Sequence, residues 1–408
     1  MRELSQRGAL DTLFSEVFSA TRLWTINEPL LPNLKFLRLW AINRSFIPFI
    51  PFLLSPRITS ISLAFESYLP NEMIASTVTA LPALCPNLQM VKLDPLPRDP
   101  MITAAVSGML LVANRNTLQA LDVDSPLTEA ASEVLYKLPN LHKLSTVIER
   151  ETPLPSASPP NITRLTITCD DEDGWQRLFH GATFGKLKSI TFIPESEQIG
   201  DFLGAFKRAA LSSSVQSVLS EFCLLVSCSW NPDYFSFLPF MQMVDLQIAF
   251  SCDGGCSSTV DDDTVINLSR AMPKLKVLRL CSHPCRQFAT GVTVKGLMAL
   301  AHNCPNLSFL CIHFQVASLS DPPASPRMTP NAEPTASWAD CALTRLEVGD
   351  IPVPEGLAPV IAMNLLRIFP RIDSIEFINE GWGEVTRAIS LSKSLSDYSS
   401  KQHPVTIS

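Results

Sequence analysis

Apolar residues recur along this chain in one short spacing: an apolar position, two variable ones, a second apolar, one variable, a third. The phrase opens at Leu34, Ile58, Leu88, Leu118, Leu141, Ile162, Leu187, Leu219, Met241, Leu275, Leu307, Leu343 and Ile372. It fits most loosely at Leu141, Leu219 and Met241. Two apolar residues separated by one point to the same face of an extended strand, so the second and third positions predict a strand buried on one side. The first turns the chain into that strand. Stretches between the phrases have helical spacing, as in residues 101–112 (MITAAVSGMLLV) and 294–301 (VKGLMALA). Pro32, Pro86, Pro273 and Pro305 stand just ahead of a phrase, where a residue without an amide hydrogen ends a preceding helix.

A unit of one strand and one helix cannot bury its apolar side alone, but stacked copies form a continuous core. The phrases span residues 34 to 372, a mean period of about 28 residues, within the range of leucine-rich repeats. The expected fold is therefore α/β: a right-handed leucine-rich-repeat solenoid with a curved parallel sheet inside and helices on the convex side. Residues 31–380 make about 13 irregular units. Residues 1–30 carry Leu10, Leu13, Phe14, Val17 and Phe18 at helical spacing and are expected to form an N-terminal helical cap. Residues 318–340 and 152–160 are rich in Pro and Ser, an insertion and a link expected to be irregular. Residues 381–408 read as a polar C-terminal tail, disordered from Ser396.

Composition narrows the class. The 408 residues are 46% apolar with a mean hydropathy of +0.18, enough for a long core. The net charge of −7 supplies no basic field for nucleic acid or a membrane surface. No apolar run approaches the ~20 residues of a membrane span. Arg2, Glu3, Asp11 and Glu16 interrupt any secretory leader. An intracellular protein is expected, its 11 cysteines reduced and mostly buried.

Chemistry-bearing motifs are sparse. The chain has no phosphate-binding glycine loop, nucleophile elbow or paired-histidine zinc helix, so no enzyme activity, catalytic residue or cofactor is expected. Cys252 and Cys256, then Cys281 and Cys285 with His283 between them, form two pairs on consecutive loops. Four such ligands could hold zinc. Their three-residue gaps and the spread of cysteine along the chain favour two free-thiol loops, with no metal. Acidic runs at Asp170–Asp173 and Asp261–Asp263 precede helical stretches, where they suit helix caps.

The variable positions between and after the paired apolar ones should line the concave sheet face, the usual binding surface of solenoids. The candidate contact residues are Arg38, Trp40, Lys92, Asp94, Asp122, Asp124, Asp245, Arg279, His313 and Glu347. Trp40 beside Arg38 combines the two residue types most often found as interface anchors. A protein partner on this face is expected.

Five stretches carry a resemblance to a known family. These are Leu31-Pro32-Asn33-Leu34 followed by Leu37-Arg38-Leu39-Trp40, then Asp262-Asp263-Thr264-Val265-Ile266, then Met272-Pro273-Lys274-Leu275, then Val292 to Leu297, then Cys304-Pro305-Asn306-Leu307. The chain resembles the leucine-rich-repeat portion of fungal, basidiomycete-type F-box proteins over most of residues 30–380. In that family an F-box attaches the protein to a cullin-type ubiquitin ligase while the repeats select the substrate. Residues 1–30 are too few for an F-box and show no Leu-Pro-x-Glu start, so the resemblance covers the repeats only. It implies the substrate-recognition part of a ligase adaptor, with a Skp1-like partner only if an F-box lies upstream. The alternative is a stand-alone repeat scaffold without a ligase.

Overall fold

The computed structural model describes residues 3–6, 29–112, 116–149, 161–169, 185–194, 219–226, 242–250, 260–280, 291–320 and 341–401. The chain divides into two compact units, one of Met1–Ser196 with Arg208–Val218, the other of Glu197–Lys207 with Leu219–Ser408. In the first unit lie strands β1 (Glu3–Gln6), β2 (Phe36–Ile42), β3 (Ser60–Phe65), β4 (Met90–Leu93), β5 (Ala120–Val123), β6 (Lys143–Ile148), β7 (Arg164–Cys169) and β8 (Ser189–Pro194). Each pairs in parallel with the next in sequence. Helices α1 (Ile50–Leu53), α2 (Asn71–Leu84), α3 (Pro100–Val112) and α4 (Glu129–Tyr136) lie between strands, and neighbours among them pack together.

The second unit repeats the plan with β9 (Glu221–Val226), β10 (Asp245–Phe250), β11 (Val277–Leu280), β12 (Phe309–Ile312), β13 (Arg345–Gly349) and β14 (Ser374–Phe377). All of their pairings are parallel and sequential. Helices α5 (Asp262–Ala271), α6 (Val294–Asn303), α7 (Ala358–Ile368) and α8 (Gly381–Lys401) stack in turn. One parallel strand gained per sequence repeat is a repeat solenoid of the α/β class, as the apolar phrase predicts.

The phrase works as read. Its opening residues Leu34, Ile58, Leu118, Leu187, Leu275, Leu307, Leu343 and Ile372 are all buried, and so are the paired positions that follow them, except Phe377 on the last strand, which is exposed. Four helices close on an apolar residue followed by proline: Cys85, Met272, Cys304 and Phe369. All four adopt φ between −131° and −119° with ψ between 64° and 78°. The clash with the following proline ring drives the backbone out of helix there, and the apolar side chain turns into the core. The Asn of the phrase then ties unit to unit. Asn87 Nδ2 donates to the Pro56 carbonyl at 3.0 Å, Asn140 to Asn116 at 2.6 Å and Asn161 to Pro139 at 2.5 Å.

Several details differ from the sequence reading. An extra strand, β1, precedes the first phrase and pairs with β2, while Leu10 to Phe18 of the expected cap lie outside the described residues. The unit assigned to Met241 is anchored two residues later: Met243, Leu246 and Ile248 are the buried triplet, so Gln247 rather than Asp245 stands level with Arg279. The period-two alternation hides such a slip, because a shift of two keeps every side chain on its face. Residues expected to form a polar tail are helical through Lys401. Trp382, Val385 and Ile389 are buried at i, i+3 and i+7, an apolar stripe diluted by serines. Of the expected insertion at 318–340, Ser318 and Leu319 end a short 3₁₀ turn over Val316–Leu319 with Leu319 buried, and 321–340 lie outside the described residues. The link at 152–160 and the acidic run at 170–173 also lie outside them.

The acidic run at Asp261–Asp263 does cap helices. Asp261 Oδ1 accepts from the Thr264 amide at 2.8 Å, at the start of α5. Asp262 reaches the next unit, accepting from the amides of Thr293 at 2.8 Å and Gly296 at 2.9 Å at the start of α6. Its other oxygen accepts from the Thr293 hydroxyl at 2.6 Å. A Cβ on Gly296 would lie 2.7 Å from that carboxylate, so a larger residue there would push the carboxylate away from the amide.

Candidate functional site

Each parallel sheet buries one row of side chains and leaves the alternate row facing away from the core. In the first unit the register brings Arg38, Ser62, Lys92, Asp122, Ser145, Thr166 and Thr191 level, one per strand. Lys92 Nζ lies 3.5 Å from both Asp94 and Asp122, and Lys143 Nζ 3.8 Å from Asp122. These half-exposed pairs contribute about 0–1 kcal/mol each; their effect is to fix the long side chains. Burial raises the Asp124 carboxyl above its ordinary range, repulsion from Asp94 adds to this, and Arg98 opposes it.

Beside that charged cluster the face changes character. On β2, Phe36 is 46% exposed and Trp40 37%, with exposed Arg38 between them. Arg38 makes no ion pair among the described residues. On β4, Met90 is 49% exposed. On β3 between them, the outward residues are Ser60, Ser62 and Ala64, all small. The β2–β3 register slips between Leu39 and Ile42, and Ala41 sits at φ 52°. A non-glycine residue in that region is strained. A bulge there re-aims the adjoining side chain, and that side chain is Trp40.

In the second unit Arg279 and Arg345 stack on the Phe309 ring, their guanidinium carbons 4.5 Å and 4.9 Å from its centroid. Arg345 also donates to Glu376 at 2.6 Å. Glu221 and Asp245 stand level on β9 and β10. Burial raises the Asp245 carboxyl; the hydrogen bond from Gln247 opposes this, and Glu221 adds to the rise. Glu347 is partly exposed in the Arg279 row.

Several outward positions are not open: Ala120, Val147, Phe309, Cys311 and His313 are buried. His313 is only 8% exposed, so it is corrected from a contact residue to a buried one. Its Nε2 would lie 2.8 Å from a Cβ on Gly349, whose φ is +62°. Burial lowers the His313 imidazole below its ordinary range, against an opposing pull from Asp350. Cys311, read as reduced and outward, is buried and disulfide-bonded, its partner not among the described residues. Cys85, Cys169, Cys304 and Cys341 are outside any disulfide and buried as expected, and burial pushes the Cys85 and Cys304 thiols up to about 12. Such thiols are inert.

The zinc candidates Cys252, Cys256, Cys281 and Cys285, with His283, lie outside the described residues. Among the described residues no group of three or more His, Cys, Asp or Glu is placed to hold a metal, and no helix is long and apolar enough to cross a membrane. The sequence reading missed Phe36, Met90, Phe309 and Arg345. Each stands two residues before a central slot and so on the same face; strand parity alone would have found them.

No family model and no curated protein matches the chain. Among solved structures it is similar to one of a Rad7 and Elc1 complex in yeast. The identity is 15%, over 78% of this chain and 74% of that one, with a TM-score of 0.39, a likeness too slight to carry any inference.

Proposed function

We propose that this chain is a protein–protein interaction module that receives its partner on the outward face of its parallel sheets. The observation that carries this is the make-up of that face. A solvated sheet needs only scattered polar residues, yet this one holds exposed aromatics and stacked or ion-paired arginine and lysine in ordered rows. Aromatic and arginine side chains held in place before binding are what interface anchors require. Of the contact residues named from sequence, Arg38, Trp40, Lys92, Asp94, Asp122, Asp124, Asp245, Arg279 and Glu347 remain exposed or half-exposed.

The finer reading is that the module selects substrates for an F-box-type ubiquitin ligase. It is supported by the resemblance of the repeat phrases alone; a stand-alone scaffold is the alternative. Affinity purification from cell extract, comparing the wild-type chain with the Arg38→Ala, Trp40→Ala double variant, tests both. A retained protein that the double variant loses is expected. Retention unchanged by the variant contradicts a role for this end of the face, and a complex without a Skp1-like adaptor or cullin leaves the scaffold reading.

A further inference from the structure

The row of small outward residues on β3 turns the first unit's sheet face into a furrow. Ser60, Ser62 and Ala64 form its floor. Phe36, Arg38 and Trp40 of β2 form one wall; Met90, Lys92 and Asp94 at β4 form the other. The floor residues are half-buried although small and on the open face, as expected beneath taller neighbours. Strands lie roughly 4.8 Å apart, so the walls stand about 10 Å apart from backbone to backbone, and the three floor positions cover about 13 Å. That is room for one extended segment laid along β3, with alternate side chains about 6.6 Å apart, the same spacing as the floor.

The walls differ in chemistry, and this selects the occupant. Phe36 and Met90 face one another across the floor at the level of Ser60, two large apolar side chains nearly half exposed. Folding alone supplies no reason to leave them in water. At the next level Arg38 faces Lys92. Lys92 is ion-paired with Asp94 and Asp122, whereas Arg38 makes no ion pair among the described residues. Among the described residues the furrow therefore carries one positive charge without an ion pair, a planar guanidinium suited to a carboxylate, beside an apolar slot.

We propose that this furrow binds an extended peptide segment of a partner protein that places an aromatic or large aliphatic side chain between Phe36 and Met90. An Asp or Glu two residues along then meets Arg38. The strained Ala41 backbone and the bulge aim Trp40 as the end wall. This rests on the interaction function proposed above and deepens it by naming what is recognised.

The test uses the full chain as bait for a displayed library of random linear peptides. Enrichment of an apolar–x–acidic pattern is expected. Ser62→Trp, which fills the floor, and Arg38→Glu should each weaken the enriched peptides roughly tenfold or more. Binding to Arg38→Glu should return when the peptide's acid is changed to Lys, a reversal that misfolding cannot produce. Enriched peptides that ignore both variants but are lost on Arg279→Glu would overturn the furrow and leave the face as the binding surface. Peptides insensitive to all three, or no enrichment, would overturn the furrow and the face together.

Discussion

At the scale of single residues, the tightest constraints sit where one unit's side chain completes the next unit's backbone. Asp262 satisfies two amides and a hydroxyl at the start of α6. Gly296→Ala places a methyl where that carboxylate lies. It should lower the stability of the second unit by about 1–2 kcal/mol, as should Asp262→Ala. The double variant should cost less than the sum, since both remove the same cap; thermal melts of the four proteins check this. Asp261 is held below the ordinary carboxylate range, first by its hydrogen bond from the Thr264 hydroxyl. Its charged form thus favours folding above the ordinary aspartate value of 3.8, and that support is lost as pH falls through its lower folded value. Asp261→Ala should therefore cost about 1 kcal/mol at neutral pH, and the difference should close in melts recorded below pH 3.8. His313 works in the opposite direction on the pH scale. Burial holds it neutral, so its support is present above 6.5 and is lost as pH falls below 6.5. A melting-temperature profile from pH 7.5 to 5.5 should fall for the wild type and be flatter for His313→Gln.

At the scale of elements, the strands were legible in the sequence and the ends of the array were not. A strand needs only two alternate apolar residues and a turn-in position, and thirteen such phrases meet thirteen strands, β2 to β14. The last helix escaped because its apolar residues, Trp382, Val385 and Ile389, are spaced among Ser, Thr and Gly. It is nonetheless part of the second unit's core. Trp382 is fully buried, donates from its indole nitrogen to the Ile351 carbonyl at 2.8 Å, and meets Phe314 edge-on at 6.0 Å. Trp382→Ala should cost about 3–5 kcal/mol, measured as a lowered denaturation midpoint in urea. If the tail were the solvated segment its composition suggests, that substitution would change nothing. His313 and Cys311 were misplaced for a related reason. Alternation assigns a face to each residue, but not whether another segment covers that face.

At the scale of the whole molecule, the parallel strands of each unit present outward rows whose charges and aromatics are set by register rather than by local sequence. Lys92 pairs with Asp122 thirty residues on because their strands are neighbours, and Arg279 meets Phe309 for the same reason. The central claim is that a protein partner covers this face and not the helices. Lysine acetylation, footprinted by mass spectrometry on the free chain and on its complex with the captured partner, tests that most directly. Lys92 and Lys143 lie on the face, while Lys137 and Lys295 lie at the end of α4 and in α6. Protection of Lys92 and Lys143 with Lys137 and Lys295 unchanged is the expected result; protection of Lys137 and Lys295 with the face still reactive would contradict it.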